Sequence, residues 1–189
     1  MKRLPQAILC VSTALVCWLG MQMVHEAGHV CGAVLTRAEV TRVVLHPLTI
    51  SRTDLGVNPN PLFVVWAGPV GGVLFPLLLW ATLVWAKISS AFVARFFAGF
   101  CLIANGAYIA FGSFDHVGDC GEMLRHGSPV WQLWLFGVVT IPPGVWLWYG
   151  QGPQFGLGPS ARSVEPRIAY GTLLTAIGLI FLGLLVGGR

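Results

Sequence analysis

ILCVSTALVCWLGMQMVHEAGHVCGAVL, residues 8–35, decides how the chain is read. The run is apolar enough to lie in a bilayer. As a helix at 1.5 Å per residue it is about 42 Å long, more than the roughly 30 Å hydrocarbon core, so it must tilt, bend or protrude. Within it stand His25, Glu26 and His29. Ionisable groups inside a span are costly and mark functional sites by default. Residues four apart share a helix face, so His25 and His29 can each offer an imidazole nitrogen to one metal ion, with Glu26 beside them. In the H-E-x-x-H arrangement two His hold Zn²⁺ and the Glu takes a proton from water. A chain with five His and four Glu in 189 residues contains that pattern by chance roughly three times in a thousand. The competing reading is a cluster in which the three side chains satisfy one another.

The surroundings agree that the solvent is lipid. Apolar residues make up 56% of the chain and charged ones 10%, with a mean hydropathy of +0.76, which does not describe a soluble globule. Several of the eight Trp lie near the ends of apolar runs, where indole favours the headgroup region. The net charge of +4 is spread over the loops without a basic run, which gives no support to a nucleic-acid partner. Cys10, Cys17, Cys31 and Cys101 sit in apolar runs and imply no disulfide framework. Lys2 and Arg3 ahead of an apolar stretch imitate a secretory signal, but the stretch runs on into the His pair, and the segment is expected to be retained.

The chain reads as one membrane-embedded domain, 1–189: an all-α, multi-pass integral membrane protein with about five hydrophobic helical segments. These are expected over about 8–35, 62–86, 91–113, 130–149 and 168–186, the fourth interrupted by Pro142-Pro143. In a bacterium the membrane would be the cytoplasmic one. The positive charges divide five against five, Lys2, Arg3, Lys87, Arg162 and Arg167 at one end and Arg37, Arg42, Arg52, Arg125 and Arg189 at the other, so they set no orientation. The β-branched stretches Val40–Leu45 and Leu48–Ser51 predict a short β-hairpin over about 39–53 that turns at His46-Pro47. Residues 150–166 have the Gly, Pro and Gln content of an exposed flexible loop.

A hydrolytic zinc ion takes three protein ligands and leaves a fourth position open, so the His pair needs one more donor. The dense polar group in the loop 114–128 supplies the candidates: Asp115, His116, Asp119, Cys120 and His126, with Glu122 expected to be solvated. Asn105 is the one strongly polar side chain deep in the third span, and a hydrogen bond between helices is its ordinary use.

Gly118-Asp119-Cys120-Gly121, together with His25-Glu26-Ala27-Gly28-His29 and Ala67-Gly68-Pro69, resembles the site-2 protease family of intramembrane metalloproteases. The resemblance covers roughly residues 25–124 and implies that Asp119 is the third zinc ligand, in the place of the family's Asp-Gly-Gly aspartate. Asp115 is the alternative ligand, or a hydrogen-bonding partner to one of the His. The chain also departs from the pattern. Ser113 stands where the family often has Asn-Pro, which leaves Asn105 for substrate positioning; Gly72 stands where many members have Asn; Cys120 replaces a Gly; and there is no PDZ domain. The resemblance implies a zinc endopeptidase that cuts a membrane-protein substrate in or near a transmembrane segment, with Glu26 as general base and a polar cavity reaching the metal from residues 114–128. A non-catalytic scaffold binding a client helix, or an ion path lined by the same residues, are the rival readings.

Overall fold

The computed structural model describes residues 3–187. The run around the His pair is one helix, α1, Arg3–Thr36, followed by β1 (Val40–Val44) and β2 (Arg52–Leu55). Then come α2 (Pro61–Trp85), α3 (Ala91–Asp115), α4 (Asp119–Arg125), α5 (Val130–Trp148), a single 3-10 turn (Gly152–Phe155) and α6 (Pro166–Gly187). Helices α1, α2, α3, α5 and α6 are each long and apolar enough to cross a membrane, so the multi-pass reading stands. Lys2 and Arg189, which entered the charge count, lie outside the described residues.

Four local expectations change. The expected break at Pro142-Pro143 does not occur, because α5 runs through both prolines just as α2 runs through Pro69 and Pro76. Neighbouring helices and side chains can compensate for the lost backbone bonds in such a bundle. The hairpin exists, but its second strand begins four residues later than β-propensity suggested: Val44 pairs with Arg52, Val43 with Thr53 and Arg42 with Asp54. Leu48 and Ile50 lie exposed in the connecting loop, while Ser51 is tied to α1 through Gln22 and Glu26. Those tertiary bonds outweigh the local preference. Residues 114–128 are mostly helical, since α3 continues to Asp115 and α4 takes up 119–125. The first part of the 150–166 segment is anchored, with Gln151 and Phe155 buried and Gln6 Nε2 donating to the Gly156 carbonyl at 2.7 Å, while residues 157–163 are exposed as expected.

Helix α1 packs on α2 and α6, α3 packs on α2 and α5, and α4 lies against α2 and α3. Small residues set the α1–α2 spacing. A Cβ on Gly28 would run into the Ala67 carbonyl oxygen, and one on Gly71 would meet the Gly28 Cα at 2.7 Å. One on Gly68 would occupy the His29 imidazole. The Ala67-Gly68-Pro69 segment therefore lets α2 approach the His-bearing face of α1 at backbone distance. We expect Gly28→Leu to force these helices apart, costing about 1–3 kcal/mol as an overpacked contact, and to reduce zinc uptake. Thermal unfolding and zinc content of the detergent-purified variant check this; wild-type values for both would contradict the packing account.

Candidate metal centre

His25 and His29 lie one turn apart on α1, about 10–16 Å along the axis from the end of the helix at Thr36. Both are buried, as are Glu26 and Asn105. The pairing partners fix which ring nitrogen carries each proton. Val64's carbonyl can only accept, so His29 donates to it from Nδ1 at 2.9 Å. Asn105 donates from Nδ2 to the Cys101 carbonyl at 2.9 Å, which turns its Oδ1 towards His25 Nδ1 at 2.7 Å, and His25 donates there. Each imidazole then points an unprotonated Nε2 inward. A partner on the far nitrogen that orients a His in this way is what metal sites need.

The third member arrives from α4. His116 closes α3 in the left-handed conformation at φ 56°, and Gly118 follows at φ 61°, a sharp reversal that brings Asp119 back to the His pair at the first residue of α4. Asp119 Oδ2 stands 2.8 Å from His25 Nε2 and 3.3 Å from His29 Nε2, and the two Nε2 atoms are 3.2 Å apart. Three lone-pair donors thus converge on one point, where a cation would be held. Ligand atoms 2.0–2.1 Å from a tetrahedral ion stand about 3.3 Å apart, close to two of the three separations. His25, His29 and Asp119 can hold a metal ion.

Glu26 is held from the hairpin. Ser51 Oγ donates to Oε1 at 2.8 Å and Thr53 Oγ1 to Oε2 at 2.7 Å, while the Ser51 N–H donates to Gln22 Oε1 at 3.2 Å. A cavity of about 660 Å³ opens on the group, with Ser51, Arg52, Thr53 and Leu55 of the hairpin along one wall and Asp119 and Glu122 of α4, with His126 just after it, along another. The expected opening towards residues 114–128 is present, but the cavity is lined mostly by apolar surface and not by the polar one expected.

No family model, curated protein or solved structure matches the chain. The resemblance to site-2 proteases therefore rests on the sequence motifs.

Of the residues singled out in the sequence, His25, Glu26, His29, Asn105 and Asp119 come together, whereas Asp115 and His116 are exposed and outside the group. Cys120 faces the core, its thiol donating to the Tyr108 carbonyl at 3.4 Å and pushed up to about 11 by burial. Asn105 makes the expected bond between helices, and both ends of its amide are engaged. Gly72 leaves the space that this amide fills, since a Cβ there would meet Asn105 Oδ1 at 2.7 Å. Ser113 bonds with Trp134 and the Ala110 carbonyl, away from the His pair. Sequence reading missed Ser51, Thr53, Tyr108 and the Val64 carbonyl. The i, i+2 spacing of Ser51 and Thr53 was a visible sign that both face one way; the Val64 contact left none.

Zinc titration against a chromophoric chelator should show one tight site per chain, abolished by His25→Ala and Asp119→Ala and unchanged by Asp115→Ala. Asn105→Ala should weaken it roughly 10–100-fold through loss of the His25 orientation. Retained affinity in Asp119→Ala would refute this ligand set.

Proposed function

We propose that the chain is a zinc-dependent intramembrane endopeptidase of the site-2 protease type, acting on a peptide bond in or near a transmembrane segment of another membrane protein. The observation that carries this reading is Glu26, buried beside a group of three converging ligands and facing a cavity large enough for an extended chain segment. The donor set of two imidazoles and one carboxylate suits Zn²⁺ with one position left for water. His25, His29 and Asp119 would hold the ion, which when bound supplies Lewis acidity and makes water acidic enough to lose a proton near neutral pH.

The chain's own residues account for the remaining requirements. Ser51 and Thr53 fix the orientation of the Glu26 carboxylate and leave it further lone pairs. Glu26 accepts the proton from the attacking water and returns it to the leaving amine. Asn105 and the Val64 carbonyl keep the His pair in the tautomer that leaves Nε2 free. A helical substrate must unwind before its carbonyls can be attacked, and pairing with the free edge of β2, which lines the cavity, would hold it extended.

The test is a library of fluorescence-quenched transmembrane-helix peptides presented in detergent micelles. Wild type loaded with zinc should cleave members of it, Glu26→Gln should abolish cleavage while keeping one zinc per chain, and chelation followed by zinc return should remove and restore activity. Cleavage that survives Glu26→Gln, or a zinc-loaded wild type that cleaves nothing, would refute the proposal.

A further inference from the structure

A peptidase of this kind must stabilise the negative charge that develops on the scissile carbonyl oxygen, and a hydrogen-bond donor placed beforehand is the most effective means. The donors around the group are mostly committed. His25 and His29 give their Nδ1 protons to Asn105 and Val64, Asn105 gives one of its two amide protons to Cys101, and Ser51 and Thr53 give their hydroxyl protons to Glu26. Tyr108 differs. Its hydroxyl oxygen accepts the Asp119 N–H at 3.1 Å, and among the described residues its own proton has no acceptor.

The position of Tyr108 is built by its neighbours. It follows Asn105 by three residues on α3, hence on the same face, and its ring stands edge-on to the His25 imidazole with centroids 5.9 Å apart. A Cβ on Gly118 would run into the Tyr108 hydroxyl, so the glycine that turns the chain towards Asp119 also admits the phenol. Tyr108 is 43% exposed, and it lines the cavity beside Asp119 and Asn105. Gln22, Asn58, Trp18 and Arg52 also have unused N–H groups there, but none of them bonds to a ligand residue, and the second amide proton of Asn105 sits on a fully buried side chain. Tyr108 is bonded directly to the residue that carries the ligand carboxylate.

We infer that Tyr108 is a catalytic residue whose hydroxyl donates a hydrogen bond to the carbonyl oxygen of the bond being cut. The inference rests on the peptidase reading above. As the water oxygen bonds to the carbonyl carbon, its proton passes to Glu26 and the π electrons of the carbonyl move onto its oxygen. Tyr108 stabilises that charge by hydrogen bonding and keeps its own proton. When the C–N bond breaks, the electrons return to re-form the carbonyl and Glu26 gives its proton to the amine.

Tyr108→Phe keeps the ring against His25 and removes only the hydroxyl. Assayed on the same peptides, it should lower kcat by roughly 10²–10³-fold with little change in KM, while zinc content and zinc affinity stay at wild-type values. In a Glu26→Gln background, which cannot turn over, peptide affinity should be the same with Tyr or Phe at 108. If wild type cleaves and Tyr108→Phe cleaves equally well, the inference is overturned and the peptidase reading survives. Loss of zinc in Tyr108→Phe also overturns it, reducing Tyr108 to a support for Asp119. If zinc-loaded wild type cleaves nothing, the peptidase reading falls and the Tyr108 assignment falls with it.

Discussion

Gly28 on α1 and Gly68 on α2 allow two helix backbones to come within contact of each other, and the geometry of the site follows from that approach. With α2 so near, the carbonyl of Val64 reaches His29 Nδ1, and the space beside Gly68 becomes the seat of the imidazole. A side chain larger than hydrogen at either glycine would separate the helices or displace the ring. Glycine in a helix interior is unfavourable by roughly 0.5–1 kcal/mol relative to alanine, and here that cost secures a His orientation which no rotamer preference would enforce alone.

The second constraint is electrostatic. Two imidazoles fixed in the Nδ1–H tautomer and the Asp119 carboxylate aim their lone pairs at one point. In a mostly apolar setting a cation at its centre would stabilise this arrangement. It also explains why the supporting hydrogen bonds come from different elements: Asn105 from α3, Val64 from α2, Ser51 and Thr53 from the hairpin. Each fixes one group, and the cavity between the hairpin and α4 is the space they leave.

Much of this was legible before any coordinates. The five spans follow from hydropathy, since apolar runs of about twenty residues have few folded alternatives. His25 and His29 follow from helical periodicity, and Asp119 from the resemblance of Gly118-Asp119-Cys120-Gly121 to the site-2 protease pattern. What the sequence hid depends on distance in the chain. Leu48-Thr49-Ile50-Ser51 looks more like a strand than Arg52-Thr53-Asp54-Leu55, and only the bonds from Ser51 to Gln22 and Glu26 reveal why the strand lies later. Tyr108 resembled any aromatic of a span until Gly118 placed Asp119 beside it. Asn105 was readable as a polar contact between helices, but its partner, eighty residues away, was not.

The central claim is that His25, His29 and Asp119 together hold a metal ion with a position left open. Zinc K-edge absorption of the full chain in detergent, loaded with one equivalent of zinc, tests it most directly. The account predicts a four-coordinate shell of nitrogen and oxygen at about 2.0–2.2 Å, two of the neighbours being imidazole, with no sulfur at about 2.3 Å. A sulfur neighbour, a shell without imidazole, or failure of the folded protein to take up zinc would contradict it.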